Sequence, residues 1–199
     1  MSRPPRILDL AATVTLIAAL IYTAGWSYAY HWYDRFELGL IGLGIPFEYH
    51  FMYGFWVFQW FWWLVLTIAG FVVLTYWARI DPILSLLAST APVWDLLAFV
   101  LTYQMGAAVA RSDYQAHREA GFQHYPWVRV WTTPAPAEVP DQLRTVRRDL
   151  TAGKYRLLMQ TNQFLYLIRP RQDGGGIPTL QVRQDRVHTL RRIPTNPGG

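Results

Sequence analysis

"FMYGFWVFQWFWWLVLTIAGFVVLTYWA", residues 51–78, contains no charged side chain and decides the class of this protein. A helix needs about 20 predominantly apolar residues to cross the hydrocarbon core of a bilayer, and this run is longer than that. Trp56, Trp60, Trp62 and Trp63 crowd its first end, and Tyr76 and Trp77 mark its second. Amphipathic rings gather in this way at both membrane–water interfaces. The stretch predicts a membrane span.

Working outward, residues 7–30 form another apolar run of spanning length, ending among Trp26, Tyr28, Tyr30 and Trp32. Its start, "MSRPPRILDLAATV", has the basic flank of a signal peptide. Asp9 intrudes, however, and bulky rings stand where small cleavage-site residues belong, so an uncleaved span is expected. Residues 82–110 are long enough for a third span but carry Pro92 and Asp95. A kinked span is expected there, with a re-entrant hairpin as the alternative. Between the first two spans, residues 31–53 are amphipathic and contain "LGLIGLGIP". They read as an interfacial turn or short helix at headgroup depth.

After Ala110 the composition changes. "RSDYQAHREAGFQHYP" reads as a polar continuation of the third helix over 111–125, stopped by Gly121 and Pro126. "WVRVWTT" (127–133) alternates as a strand does, "TPAPAEVP" is a proline-rich linker, and "DQLRTVRRDL" (141–150) reads as one short helix with Asp141 as its N-cap. "KYRLLMQT" and "FLYLIRP" read as a hairpin about Asn162 and Gln163. "RQDGGGIP" reads as a flexible loop, and "TLQVRQ" and "HTLRRI" as two further strands. The expected architecture is an α-helical membrane region of three hydrophobic segments, the third crossing or re-entrant, followed by a small β-rich soluble domain over 126–194. That domain is expected to close a small barrel or sandwich. Residues 195–199 read as a disordered tail.

Charge follows the same division. Of the 18 Lys and Arg residues, only Arg3, Arg6, Arg35 and Arg79 precede residue 110, leaving 14 in the last 89 residues. The acids divide 6 and 7, so the first part carries a formal charge near −2 and the remainder near +7. The absence of cysteine removes disulfides, thiolate catalysis and Cys-ligated metals from consideration. Orientation signals conflict. Arg3 and Arg6 favour a cytoplasmic N-terminus, whereas Arg111 and Arg118 beside the third segment favour a cytoplasmic C-terminal domain, and short flanks weigh most. The cytoplasmic C-terminal domain is the expectation, with both ends inside if 82–110 re-enters.

Asp34, Arg35, Glu37, Glu48, His50 and His31 gather around the first two spans. Acids and imidazoles at a membrane edge can relay protons, hold a cation or anchor a headgroup. Against that, headgroup depth is wet, and interfacial charge often only marks where a chain leaves lipid. Asp95 lies among apolar neighbours, where a carboxylate in hydrocarbon costs about 3 kcal/mol on insertion scales. It reads as a proton or cation site, as a partner for Arg79 or Arg111, or as a helix-start acid close to water. Asp113 and His117 share a helix face but lack a third ligand, and no HExxH-type spacing occurs, so no metal and no cofactor is expected. Arg111, Arg118, Arg147 and Arg148 are candidate contacts to anionic lipid or to a ligand. Arginines interleaved with aliphatics offer only Phe164 and Tyr166 for base stacking, so nucleic acid is not the expected partner.

The order of parts resembles a loose group of uncharacterised bacterial integral membrane proteins. The likeness rests on "YAYHWYDRFELGLIGLGIPFEY" after the first span, "MGAAVARSD…HYPWVRVWT" at the exit from the last, and the "YRLLMQTNQFLYLIRP…TLQVRQDRVHTLRRI" tail. It implies a shared architecture of spans and C-terminal β-domain in a bacterial cytoplasmic (inner) membrane, and it carries no catalytic residue to this chain. No nucleophile–base pair is legible, which favours a non-enzymatic protein. The expected function is channel-like permeation or membrane perturbation by a homo-oligomer, controlled by a ligand or partner at the C-terminal domain. An accessory subunit of a larger membrane complex is the alternative, and the bilayer is a partner in either case.

Overall fold

The computed structural model describes residues 6–77, 89–133, 140–170 and 177–193. The linker, the glycine-rich loop, the tail, Arg79 and the first part of the third hydrophobic segment lie wholly or largely outside these residues. The chain forms two compact units, one from Met1–Tyr33 with Ile45–Ser112, the other from Asp34–Gly44 with Asp113–Gly199.

In the helical unit, α1 runs over Arg6–Asp34, α3 over Phe47–Trp60, α4 over Trp62–Trp77, and α5 over Ala91–Glu119, the last crossing into the second unit. The short α2, Leu40–Leu43, belongs to the second unit. Glycine inside a helix costs about 1 kcal/mol relative to alanine, and three such glycines here have one explanation. A Cβ on Gly25 would collide with the His50 carbonyl, one on Gly54 with the Ile21 carbonyl, and one on Gly106 with the Ala24 carbonyl. Helix α1 is therefore in backbone contact with α3 on one side and α5 on the other. Small residues permit this close approach where lipid supplies no hydrophobic drive between helices. The buried Ser27 hydroxyl adds a hydrogen bond to the Tyr103 carbonyl at 2.6 Å.

Helices α1 and α5 are long and apolar enough to cross a membrane, and α3 with α4 makes a third candidate bent by 72° at Phe61. The bend falls in the second expected span, whereas the kink expected in 82–110 falls partly on residues outside those described. Pro92 occupies the first turn of α5, where a missing N–H costs nothing. The ladder breaks instead within "WFWW", where crowded aromatic residues have weak helix propensity. There the Phe61 N–H turns back to the Phe58 carbonyl in a tighter i, i+3 bond.

The second unit is built on five antiparallel strands: β1 Trp127–Thr132, β2 Tyr155–Gln160, β3 Phe164–Ile168, β4 Thr179–Arg183 and β5 Val187–Ile193, in the order β4-β3-β2-β1-β5. Strands β4 and β5 stand at opposite ends of that order, yet only the 3₁₀ turn Gln184–Arg186 joins them. A flat five-stranded sheet would separate its edges by roughly 19 Å at about 4.8 Å per strand. Four chain steps reach at most ~14 Å. The sheet must curl until its edges approach, which makes it a small, partly open barrel.

Val128, Val130, Tyr155, Leu157, Leu165 and Leu167 form one face of this sheet, and α6, Asp141–Ala152, covers it with Leu150 and Val146 at the i, i+4 spacing of one helix face. Pro140 rather than Asp141 is the N-cap, and Gly153 (φ 78°) closes the helix. Within the interfacial stretch expected over 31–53, the apolar side chains pack into the second unit while Arg35, Glu37 and Gly39 stay exposed. Phe36, Leu38 and Leu43 are each at most 5% exposed. The Phe36 ring meets those of Tyr114 at 5.6 Å and Phe122 at 5.8 Å, and its carbonyl accepts from the Thr179 hydroxyl at 3.0 Å.

Candidate functional site

A concavity lies where α5 ends and the sheet begins. Helix α5 terminates with the Gly121 N–H bonded to the Arg118 carbonyl at 2.9 Å and the Phe122 N–H to the His117 carbonyl at 2.7 Å. These paired bonds satisfy the last helical carbonyls and require a left-handed residue after the helix. Gly121 supplies it at φ 61° without cost, and Phe122 follows at φ 56°. A left-handed non-glycine residue costs about 1–2 kcal/mol, which burial of the Phe122 ring (1% exposed) offsets. The reversed chain aims the Gln123 and Tyr125 carbonyls at β2.

Arg156 receives them. Its Nη1 donates to Tyr125 O at 2.5 Å and to Gln123 O at 3.4 Å, and its guanidinium carbon lies 4.2 Å from the centre of the Trp127 ring, its partner across the β1–β2 ladder. The residue is only 7% exposed, and its Nε is buried without a hydrogen-bond partner. Burial pushes its pKa below the usual arginine value. A cavity of about 1170 Å³ opens beside it, lined among others by Arg118, Glu119, Phe122, Gln123 and Trp127.

A second charged cluster closes α6. Asp149, 5% exposed, accepts from Lys154 Nζ at 2.7 Å and Arg169 Nη1 at 3.1 Å. The Lys154 hydrogen bond holds its carboxyl below the usual aspartate range; burial opposes this, while the charges of Lys154, Arg169 and Arg148 reinforce it. Lys154 and Arg169 also line a smaller, shallower hollow with Trp127 and Ile193. Asp149 is shared by both cations, one oxygen to each, so the cluster reads as a structural latch.

The residues singled out from sequence are divided between the two units. Asp34, Arg35 and Glu37 belong to the second unit, Glu48, His50 and Asp95 to the helical one. The carboxylates of Asp34, Glu37, Glu48 and Asp95 are exposed and make no ion pair among the described residues. Arg35 lies 5.7 Å from the Tyr114 ring centre. His50 is buried with Nδ1 unpartnered, its ring 5.4 Å from that of Tyr22. Asp95 sits one turn into α5. Of the arginines, Arg118 lines the large cavity, Arg147 donates to the Thr133 carbonyl at 3.0 Å, and Arg111 and Arg148 are exposed. His117 Nδ1 bonds to the Asp113 backbone carbonyl at 2.8 Å. Among the described residues, no group of three His, Cys, Asp or Glu side chains could hold a metal ion.

Arg156 is the residue that sequence reasoning missed. Its signal was present in "KYRLLMQT": an arginine between Tyr155 and Leu157 in a strand apolar on both sides has no obvious route to solvent. No family model, no curated protein and no solved structure matches the chain.

Proposed function

We propose that this membrane protein is a non-enzymatic effector. Copies of the helical unit associate in the bilayer and permeabilise or perturb it, under the control of a ligand or partner held by the C-terminal unit. The observation that carries this reading is the double connection between the parts. Helix α5 passes without a break from Ser112 to Asp113, and the turn after α1 is anchored in the C-terminal unit through Phe36. A merely tethered domain would be joined by one flexible linker. Here ligand binding can bias two span ends at once.

The same connection bears on topology. Because 34–44 and 113–199 make one compact unit, the C-terminal ends of α1 and α5 lie on one side of the membrane. The α3–α4 pair then carries the chain back across, giving three crossings, with the N-terminus opposite the C-terminal domain. The basic domain and Arg111 favour the cytoplasm for that domain, in keeping with the bacterial inner membrane implied by the resemblance.

The exposed rings of α3 and α4, among them Phe55, Trp56, Trp60, Trp62 and Trp63, favour a second reading, an accessory subunit that presents this face to other membrane chains. Purification in mild detergent followed by vesicle reconstitution separates the two. A homo-oligomer that releases trapped dye supports the effector. Stoichiometric co-purification of different chains, with no release by the isolated protein, supports the subunit.

A further inference from the structure

We propose that the cavity beside Arg156 is an oxyanion-binding site, and that its ligand carries a phosphate group, either on a soluble phosphate ester or on a lipid headgroup. The proposal names the ligand class for the control site of the effector reading, and its test is independent of membrane leakage.

A guanidinium has five N–H donors in a planar fork. In Arg156 the two on Nη1 are spent on the Tyr125 and Gln123 carbonyls. Nε is buried without a partner, and no carboxylate lies within ion-pair distance among the described residues. Neutral carbonyls and the Trp127 face orient the group but do not balance its charge. A buried charge without a counter-charge is unfavourable, and it persists where the missing partner is a ligand. Nη2, neither bonded nor among the enclosed unpaired atoms in the described residues, is the donor that a phosphate oxygen can take from the cavity side.

The surroundings select among anions. Arg118 lines the same cavity and adds a second positive charge, which suits a doubly charged phosphate monoester or a diester with an anionic neighbour. Glu119 also lines it and disfavours anions placed towards the α5 end. The cavity, about 1170 Å³, exceeds what a bare ion needs and matches the volume of organic ligand sites. The Asp149 cluster offers a contrast: there the cations already have their carboxylate, and no ligand is called for.

The test uses the full-length protein in neutral detergent, titrated calorimetrically with inorganic phosphate and with adenosine monophosphate. In parallel, protein in nanodiscs is titrated with small vesicles of phosphatidylcholine, with and without phosphatidylglycerol. Saturable binding of a soluble phosphate, weakened at least tenfold in Arg156→Gln and several-fold in Arg118→Ala, assigns a soluble ligand. Binding confined to the phosphatidylglycerol vesicles, with the same losses, assigns the headgroup. Arg156 is buried, so circular dichroism and thermal unfolding accompany its variant. If that variant unfolds, the half-buried Arg118 on the cavity wall decides alone. No saturable binding in either arm, or binding unchanged by Arg118→Ala and by a folded Arg156→Gln, overturns the proposal. Binding without dye release would leave this site standing and remove the effector reading; release without binding would do the reverse.

Discussion

Replacing Phe36 with alanine tests whether the turn after the first span is built into the C-terminal unit. The ring is 1% exposed and held edge-on by Tyr114 and Phe122. Truncating a buried phenylalanine costs about 3–5 kcal/mol, the sum of lost transfer free energy and the cavity left behind. Here the cavity would be walled by aromatic rings and a buried turn, which collapse poorly. At 1.4 kcal/mol per factor of ten, the opening equilibrium of the unit should rise by roughly two to three and a half orders of magnitude. Hydrogen–deuterium exchange of peptides covering β2 and β3 reads this directly, because those amides exchange through the unit's cooperative opening. Leu143→Ala, on the exposed side of α6 at 53% exposure, is the control and should change exchange by less than about threefold. If Phe36→Ala exchanges like Leu143→Ala, the turn is not part of the unit. The three-crossing topology would lose its support.

Three further outcomes follow from named contacts. Gly54→Leu should destabilise the helical unit by about 1–3 kcal/mol or more through overpacking against Ile21, while Gly70→Leu, with nothing near its Cβ, should be neutral; thermal unfolding in detergent compares them. The depressed pKa of Asp149 gives stability that is present above the unfolded aspartate pKa and lost as pH falls through the lower folded value. Acid unfolding of the wild type should therefore extend below pH ~4. Asp149→Asn should flatten that acid limb and lower the melting temperature at pH 7, whereas replacing the fully exposed Asp141 should do neither. Because the chain has no cysteine, single cysteines placed at Ser2 and at Asn162 should react with an impermeant maleimide from opposite sides of a sealed vesicle; reaction from the same side would contradict three crossings.

Much of the architecture was legible because it rests on local signals. Apolar run length located the helices that are long and apolar enough to cross a membrane. Alternation in "WVRVWTT" and short runs bounded by turn residues located all five strands within a residue or two, and "DQLRTVRRDL" carried one short helix. What escaped depends on contacts distant in sequence. Phe36 looks like an interfacial ring until Tyr114 and Phe122 meet it from the other end of the membrane region. Glycines 25, 54 and 106 look like weak helix positions until three backbones need them. The bend at Phe61 lies in the most apolar run, where hydropathy has no means of marking a broken ladder. The charged residues drew attention in proportion to how oddly they sat among apolar neighbours, and those at the span ends proved exposed. Arg156 shows in the sequence only as an arginine in a strand apolar on both sides, and the packing around β2 shows that its charge is buried with no carboxylate at ion-pair distance among the described residues.

Ion conductance across a planar bilayer into which purified protein has been inserted tests the central claim most directly. The account predicts currents that appear with insertion and grow more steeply than the first power of protein density, as self-association requires. A bilayer that keeps its protein-free resistance, at densities where insertion is verified and the homo-oligomer is present, would contradict it.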